Sequence, residues 1–422
     1  MAGSIPLLLT SVMAKFMQLD FFSAKVRRDP YETYVELRGA GDAYYDRTTD
    51  SWFVGRYAAV KGVLQNNADF SNSSAGVEST LLGADGAKHS RTRKLVQPAF
   101  TAEKIEALAT PLLALARQLA KHLGGPDPVE TVSKFALLVP TTGIAWMLGI
   151  DEDRAGDLAR WSAAILRTSD ARRGDSTDHR TMTPEAQPLP PGNPSLEQDP
   201  RLGTPEDPEL LECHDFLLAH FERAHQNGSR GWLTDIIASQ GAGFTPEEML
   251  NIALLMIVAG TETTTDLIGN ALLFLARNPD IYALIQKNES LMTPFIDEVL
   301  RFDSPVQRRP RYAVVDTMIG DQPILAGARV ELILGAANRD PDQFEDPDCF
   351  RLTRRLNRHT TFGAGAHFCL GSELAKVEAK AALWAILERY SAIGLCSDPQ
   401  GIDYPANLRR RGPCRLHLRF YE

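Results

Sequence analysis

Cysteine is scarce. Five residues, at positions 213, 349, 369, 396 and 414, form no C-x-x-C pair and no close metal-ligand spacing. An odd number of cysteines in a large chain points to a reducing compartment. Positive charge is also in deficit: 45 Lys and Arg against 54 Asp and Glu leave a net charge of -9. The molecule as a whole therefore offers no field to gather nucleic acid, and none is expected as a partner. A long apolar run is missing at the N-terminus. Residues 5–22 read IPLLLTSVMAKFMQLDFF, and Lys15, Gln18 and Asp20 interrupt them well short of the ~20 residues a membrane span needs. No basic stretch precedes them, so neither a transmembrane segment nor a signal peptide is expected. These apolar residues are expected to pack on the protein's own surface, in a cytoplasmic protein. Internal repeats are absent, as are flavin and iron–sulfur motifs. What remains is a composition ordinary for a soluble globular protein, 44% hydrophobic and 23% charged over 422 residues.

Read in order, the chain is rich in helix patterns. DPYETYVELRGAG, from residue 29, is a short helix ending in glycines. SWFVGRY alternates as a strand, and AAVKGVLQN returns to helix. Residues 71–86 are loop-like in Ser, Asn and Gly. In DGAKHSRTRKLVQPAFT (85–101), His89 and Arg93 stand four apart, on one face of a helix. Taken alone, that face is a solvated basic one. From 102 to 168 apolar residues recur every three or four positions, and TTGIAWMLGI (141–150) is apolar enough to be buried. Residues 169–208 break the pattern with prolines, glycines and charges, and read as a loop insert.

A central helix is predicted from Thr245. Thr245 with Glu248 makes a capping box, Pro246 takes the first helical position, and Pro279 stops the run. Ile252 to Val258 are apolar on every side, so this helix is buried. Glu262 and Asp266 in its middle argue against a membrane span. Its centre is locally unfavourable: Gly260 costs about 1 kcal/mol relative to Ala in a helix interior, and Thr263 can bond back to the carbonyl of Ala259.

Cys369 lies in FGAGAHFCLG (362–371), where a glycine-shaped loop runs into the helix-forming SELAKVEAKAALWAILERY. Unpaired N–H groups and a positive helix end favour a thiolate there. Glycines allow a flat ligand to approach, so the sulfur suits a haem iron. The other reading is a buried structural cysteine.

Phe362, Gly363, Gly365, His367, Cys369 and Gly371, followed by Leu374, Ala375 and Glu378, resemble the haem-binding signature of the cytochrome P-450 family. Three further stretches resemble the family in the family's order. AGTETT matches A-G-x-(D/E)-T-(T/S), E-x-x-R matches Glu298 and Arg301, and H-x-x-x-R matches His89 and Arg93. The resemblance runs from about residue 29 to 420. It implies a mainly α fold with small β-sheets, the cytochrome P-450 fold, holding haem b. One domain is then expected over 29–422, against a length prior of two or three, with residues 1–28 an N-terminal extension.

The resemblance also implies roles. Cys369 is the axial metal ligand. His89, Arg93, Arg311 and His367 hold the haem propionates, a task that suits an arginine fork. Phe362, Gly363 and Gly371 shape the cofactor loop. Thr263 hydrogen-bonds dioxygen in a groove of the opened helix, and Glu262 helps pass in protons. Glu298, Arg301 and Arg354 brace the cysteine loop. Leu255, Val258, Ala259, Val306 and Arg308 are expected in the substrate pocket, and Arg308 and Arg309 before Pro310 are a departure from the family close to where it contacts substrate.

The implied reaction inserts one oxygen atom of O2 into a small, largely apolar organic molecule, by hydroxylation or epoxidation. Electrons come from a separate ferredoxin and ferredoxin reductase. Lys376, Lys380, Arg91 and Lys94 are expected to form a local basic patch for that donor. The protein is expected to be a monomer. Alternatives are a peroxide-driven haem enzyme, an oxidative coupling enzyme, or a haem sensor without turnover. Steroid, terpenoid, polyketide and carrier-bound peptide substrates all stay open.

Overall fold

The computed structural model describes residues 18–73, 81–172, 207–227, 231–233, 243–354, 356–396, 402–405 and 409–422. Most of the 169–208 insert falls outside them. The N-terminal half carries helices α1 (Ala24–Arg28), α2 (Tyr31–Ala40), α3 (Tyr57–Gln65), α4 (Gly86–Val96), α5 (Ala102–Ala120), α6 (Leu138–Leu148) and α7 (Ala155–Arg172). There follow α8 (Pro208–Asn227), α9 (Pro246–Arg277), α10 (Pro279–Lys287), α11 (Met292–Phe302), α12 (Leu334–Ala337) and α13 (Ser372–Arg389).

The strands are β1 (Tyr44–Asp46), β2 (Ser51–Val54), β3 (Phe70–Ser71), β4 (Val129–Glu130) and β5 (Arg308–Ala313). The later ones are β6 (Thr317–Ile319), β7 (Gln322–Ile324), β8 (Arg329–Ile333), β9 (Ala392–Leu395) and β10 (His417–Tyr421). They form a five-stranded sheet ordered β1-β2-β8-β5-β3, a three-stranded sheet β4-β10-β9, and the hairpin β6-β7.

Local chemistry explains the long helices. The Thr245 side chain accepts from the Glu248 N–H at 3.1 Å, and Glu248 accepts from the Thr245 N–H at 2.9 Å. This satisfies two donors that α9 would otherwise leave bare. In α5, Ile105, Leu108, Leu112, Ala116 and Ala120 are buried at helical spacing, and this stripe packs against α13. The centre of the molecule is α9, in contact with α6, α7 and α13. Among the described residues α9 is the one helix long and apolar enough to cross a membrane, but 67% of its most apolar window is buried inside the protein.

The helical pattern expected from 102 to 168 is interrupted. Gly124-Gly125-Pro126-Asp127-Pro128 ends it, because two glycines and two prolines cannot continue a helix. Strand β4 follows. The Glu130 carboxylate then collects the N–H groups of Val132, Ser133 and Leu416 at 3.0, 2.9 and 3.0 Å, tying this corner to the C-terminal strand. At the other end of the chain, Leu19, Phe21 and Val26 are buried with Tyr34, Leu37 and Phe53, and the Phe21 ring stacks on Phe53 with centroids 4.1 Å apart. Residues 19–28 thus share one apolar cluster with the sheet.

Candidate active site

The loop 362–371 and the middle of α9 line one cavity, with about 1590 Å³ of empty space, its open mouth included. Helix α9 supplies Leu255, Met256, Ala259, Gly260, Thr263 and Thr264, and the loop supplies Phe362, Gly363, His367, Phe368, Cys369 and Gly371. Two glycines set the loop's path. Gly363 and Gly365 both have φ of +73°, a region costly for residues with a Cβ. At Gly365 a Cβ would also stand 2.8 Å from the Leu64 carbonyl oxygen. The Cys369 N–H donates to the Phe362 carbonyl at 2.9 Å and closes the loop. At Gly371 a Cβ would meet nothing nearer than Phe100 Cε1 at 4.0 Å, so the floor beside the sulfur is open.

The thiol of Cys369 does not behave as helix-end electrostatics alone suggest. The residue is exposed to the cavity, yet desolvation by the surrounding protein pushes the thiol's pKa above the ordinary value, against the Gly371 amide and the charges of Arg309 and Arg93. Without a metal, desolvation outweighs the positive surroundings. A coordinating metal reverses the balance, because it deprotonates the thiol outright.

The cavity's polar lining includes His89, Arg93, Arg309, Arg311 and His367. The His89 and His367 rings lie 3.9 Å apart. His367 Nε2 is 3.1 Å from Asp85 Oδ1. Burial would raise the Asp85 carboxyl, but hydrogen bonds from His367, Ser71 and Asn72 hold it well below the usual range. His89 is lowered to about 4 by burial, helped by repulsion from His367 and Arg93, so at neutral pH it is uncharged. Arg93 Nη2 donates to the Phe368 carbonyl at 2.9 Å, reaching across to the residue before the cysteine.

On α9, Thr263 Oγ1 donates to the Ala259 carbonyl at 2.8 Å, and Thr265 does the same to Thr261 at 2.8 Å. Helix α9 nevertheless runs unbroken. Gly260 answers to packing: a Cβ there would stand 2.4 Å from Ile144 Cδ1. Glu262 is not among the cavity's lining residues. Its carboxylate accepts from Ser162 Oγ of α7 at 2.9 Å and from Arg410 Nη1 at 2.5 Å. A second acid, Glu378 of α13, does line the cavity. Burial pushes its carboxyl well above the ordinary value, and a hydrogen bond with Thr264 only partly offsets this.

Two expected pocket residues are elsewhere. Arg308 is buried and absent from the lining; its guanidinium lies 5.7 Å from the Phe22 ring centroid. Arg308 pairs with Ile333 in the β5–β8 ladder, and Arg309 with Leu332. Successive strand residues point to opposite faces, so the guanidinium beside the cavity belongs to Arg309. Val258 also lies outside the lining and packs, half-buried, against the main core; three residues on from Leu255 turn the helix by about 300°, short of a full turn. Leu255, Ala259 and Val306 do line the cavity. The basic patch is also weaker than expected. Lys376 pairs with Asp297 at 2.9 Å, Lys380 with Glu289 at 3.0 Å, and Arg91 with Glu248 at 2.8 Å.

Behind the loop, Glu298 and Arg301 are fully buried and 2.7 Å apart, and Arg354 Nε reaches Glu298 at 3.2 Å. Arg301 also donates to the carbonyls of Asn338, Pro347 and Cys349 at 3.0, 2.8 and 3.2 Å. Asn338 in turn holds Thr360 and Thr361 through its side-chain amide. A continuous chain of bonds therefore leads from the ion pair to the residue before Phe362. Arg309, Glu378 and Arg410 are the site residues to which sequence reasoning gave no role.

A helix-rich body with small sheets, in which a cysteine loop and a threonine-bearing central helix share a cavity lined also by arginines, defines a haem-thiolate class of protein. Known proteins agree. A family profile described as Cytochrome P450 matches residues 214–400. Cytochrome P450 107B1 of Saccharopolyspora erythraea is 30% identical over 417 residues, covering 94% of this chain and 93% of that one. The 6-deoxyerythronolide B hydroxylase of the same organism is 29% identical over 426 residues, covering 95% and 98%. The solved structure of cytochrome P450 CYP109Q5 from Chondromyces apiculatus matches with a TM-score of 0.80 at 29% identity, covering 94% of this chain and 97% of that one. The chain belongs to the cytochrome P450 family, a family of haem-dependent oxidoreductases.

The donor set fits haem. Cys369 offers one sulfur in the cavity lining, beside a glycine with room around it, and would serve as the thiolate ligand. Three arginines, Arg93, Arg309 and Arg311, line the cavity, and two propionates need such charge-assisted donors.

Proposed function

We propose that this protein is a monooxygenase that inserts one oxygen atom of O2 into a small, largely apolar organic molecule. Electrons come from a separate ferredoxin and its reductase, since the sequence carries no flavin or iron–sulfur motif. In this reading it acts in the cytoplasm as a monomer. The observation that carries the proposal is the sharing of one cavity by Cys369 and Thr263.

Haem b supplies, when bound, the iron centre at which dioxygen is activated. The chain supplies the rest. Cys369 offers the sulfur ligand. Arg93, Arg311, His89 and His367, joined by Arg309, hold the propionates. Neutral His89 can donate a single ring N–H to a propionate oxygen, while the arginines carry the charge. Thr263 holds its hydroxyl against the Ala259 carbonyl and by rotation presents it to the cavity. Glu262 delivers protons from the side of Ser162 and Arg410. Ile144, Leu255, Met256 and Leu267 make an apolar wall that orients substrate by shape and excludes water. The relative named 6-deoxyerythronolide B hydroxylase supports hydroxylation as the reaction.

The test has two parts. Cys369→His should bind haem yet lose the thiolate-type absorbance of the reduced carbon monoxide complex, and survival of that absorbance refutes the ligand assignment. A panel containing a steroid, a macrolide aglycone and a long-chain fatty acid, scored by shift of the haem spin state, then assigns the substrate class. Oxygenated product must appear with NADPH consumption for the shifting compound. Shift without product refutes the monooxygenase reading.

A further inference from the structure

Glu262 can hand a proton toward Thr263 only by releasing Arg410. That guanidinium is largely enclosed, with 22% of its side chain exposed, and a buried cation left without a counter-charge is strongly disfavoured. One helical turn along α9 stands a second carboxylate. Asp266 Oδ2 lies 3.4 Å from the same Arg410 Nη1 that bonds Glu262. The C-terminal segment is pressed onto it: a Cβ at Gly412 would stand 2.4 Å from Asp266 Oδ1.

We propose that Arg410 is a positioning residue shared between Glu262 and Asp266, and that Asp266 holds it when Glu262 turns toward Thr263. The inference rests on the proton-delivery role given to Glu262 above. Ser162, from α7, tethers the other carboxylate oxygen of Glu262 at 2.9 Å by a neutral hydrogen bond. Arg410 is therefore the charged restraint that must be exchanged.

The groups facing Asp266 are few. Arg410 and Cys414 come from the C-terminal segment, Glu262 from its own helix, and Asp303 from the residue after α11. Asp303 is already engaged by Arg411 at 2.6 Å and by the Tyr31 hydroxyl at 2.5 Å, so it does not compete for Arg410. Burial pushes the Asp266 carboxyl up to about 7, with Glu262 and Asp303 adding to the rise and Arg410 opposing it. Protonated Asp266 cannot replace Glu262 as counter-ion, whereas ionised Asp266 can. Proton delivery should therefore rise with pH through neutrality, by about tenfold from one unit below the midpoint to one unit above, following the ionised fraction.

The experiment uses the haem-loaded protein with a surrogate ferredoxin and reductase and no substrate. Its readout is the partition of dioxygen between peroxide, which takes two electrons and two protons, and water, which takes four of each. In the unaltered protein the water fraction should climb as pH rises through neutrality. Asp266→Asn should hold it at the low-pH level throughout, and an unchanged pH profile in that variant overturns the inference. A second measurement is an infrared titration of carboxyl groups in the carbon-monoxide-bound ferrous protein. The carboxyl that titrates near neutrality should vanish in Asp266→Asn. In Arg410→Gln a further protonated carboxyl should appear, and Arg410→Lys should restore the original pattern. Identical titrations for Arg410→Gln and the unaltered protein, at equal haem content, also overturn it. Glu262→Gln separates the two levels. If it leaves the partition unchanged, the role of Glu262 fails and this inference fails with it. If it shifts the partition while Asp266→Asn does not, only the inference fails.

Discussion

Glu298→Gln keeps the size of the side chain and removes its charge. In the folded protein Glu298 accepts from Arg301 Nε and Nη2 at 2.9 and 2.7 Å, from the Arg351 N–H at 2.9 Å and from Asn357 Nδ2 at 3.0 Å. An exposed pair three residues apart on a helix is worth about 0.2–0.5 kcal/mol. Here both partners are inaccessible to water, so the comparison that applies is a buried charge deprived of its partner, at about 3–5 kcal/mol. That is about two to three and a half powers of ten in the folding equilibrium, at ~1.4 kcal/mol each. The loss should reach the cysteine loop, because Arg301 orders Asn338 and Asn338 orders Thr360 and Thr361. Urea unfolding of the haem-loaded protein, followed by haem absorbance and by far-ultraviolet circular dichroism, reads both effects. We expect the haem transition to move first and further. A companion variant, Glu298→Leu with Arg301→Met, removes both charges but also takes the Arg301 donor from the Asn338 and Pro347 carbonyls and leaves Arg354 without its carboxylate, and should not recover stability. A loss below about 1 kcal/mol in Glu298→Gln with haem retention unchanged would refute the reasoning, because it would make the pair no stronger than a surface one.

The parts of this site that are readable in the sequence are those fixed by neighbours in the chain. The capping box at Thr245, the Thr263 back-bond to Ala259 and the turn through Gly363 and Gly365 each depend on contacts within a few residues. The break after Leu123 was readable too, in Gly124-Gly125-Pro126, but a regular apolar spacing on either side masked it. What could not be read depends on register and distance. Arg308 and Arg309 are chemically identical in sequence, and only the pairing of β5 with β8 decides which one lies at the cavity. Arg410 meets Glu262 across 148 residues, and nothing near either residue signals the other. Lys376 and Lys380 show the same limit, because the acids that neutralise them, Asp297 and Glu289, come from a different part of the chain. The balance at Cys369 escaped for another reason. Helix-end electrostatics are a local property, but the desolvation that outweighs them depends on the whole packed surround.

Further outcomes follow from the same geometry. Thr263→Ala should retain haem but divert reducing equivalents to peroxide; unchanged coupling of NADPH to product during turnover of the assigned substrate would remove Thr263 from the reaction. Gly260→Val should destabilise by about 1–3 kcal/mol through collision with Ile144, and Ile144→Ala in the same chain should relieve most of it; absence of rescue would contradict the close helix approach. Electron transfer from an acidic ferredoxin should slow only weakly with added salt, given the ion pairs at Lys376, Lys380 and Arg91; a steep dependence would show that these pairs open on docking. The last outcome concerns stability and pH. Asp266 has its carboxyl raised from 3.8 to about 7 in the folded protein, so the native state binds this proton more tightly than the unfolded chain does. The stabilisation it brings is full below the unfolded value and is lost as pH rises through about 7. At 1.36 kcal/mol per pKa unit the loss amounts to about 4 kcal/mol at most. Asp266→Asn removes the ionisation, so its unfolding free energy should gain on that of the unaltered protein steadily between acid and neutral pH and hold a constant difference above. A difference between the two proteins that stays level across that window would mean that Asp266 is ionised throughout, held so by Arg410 at the expense of Glu262.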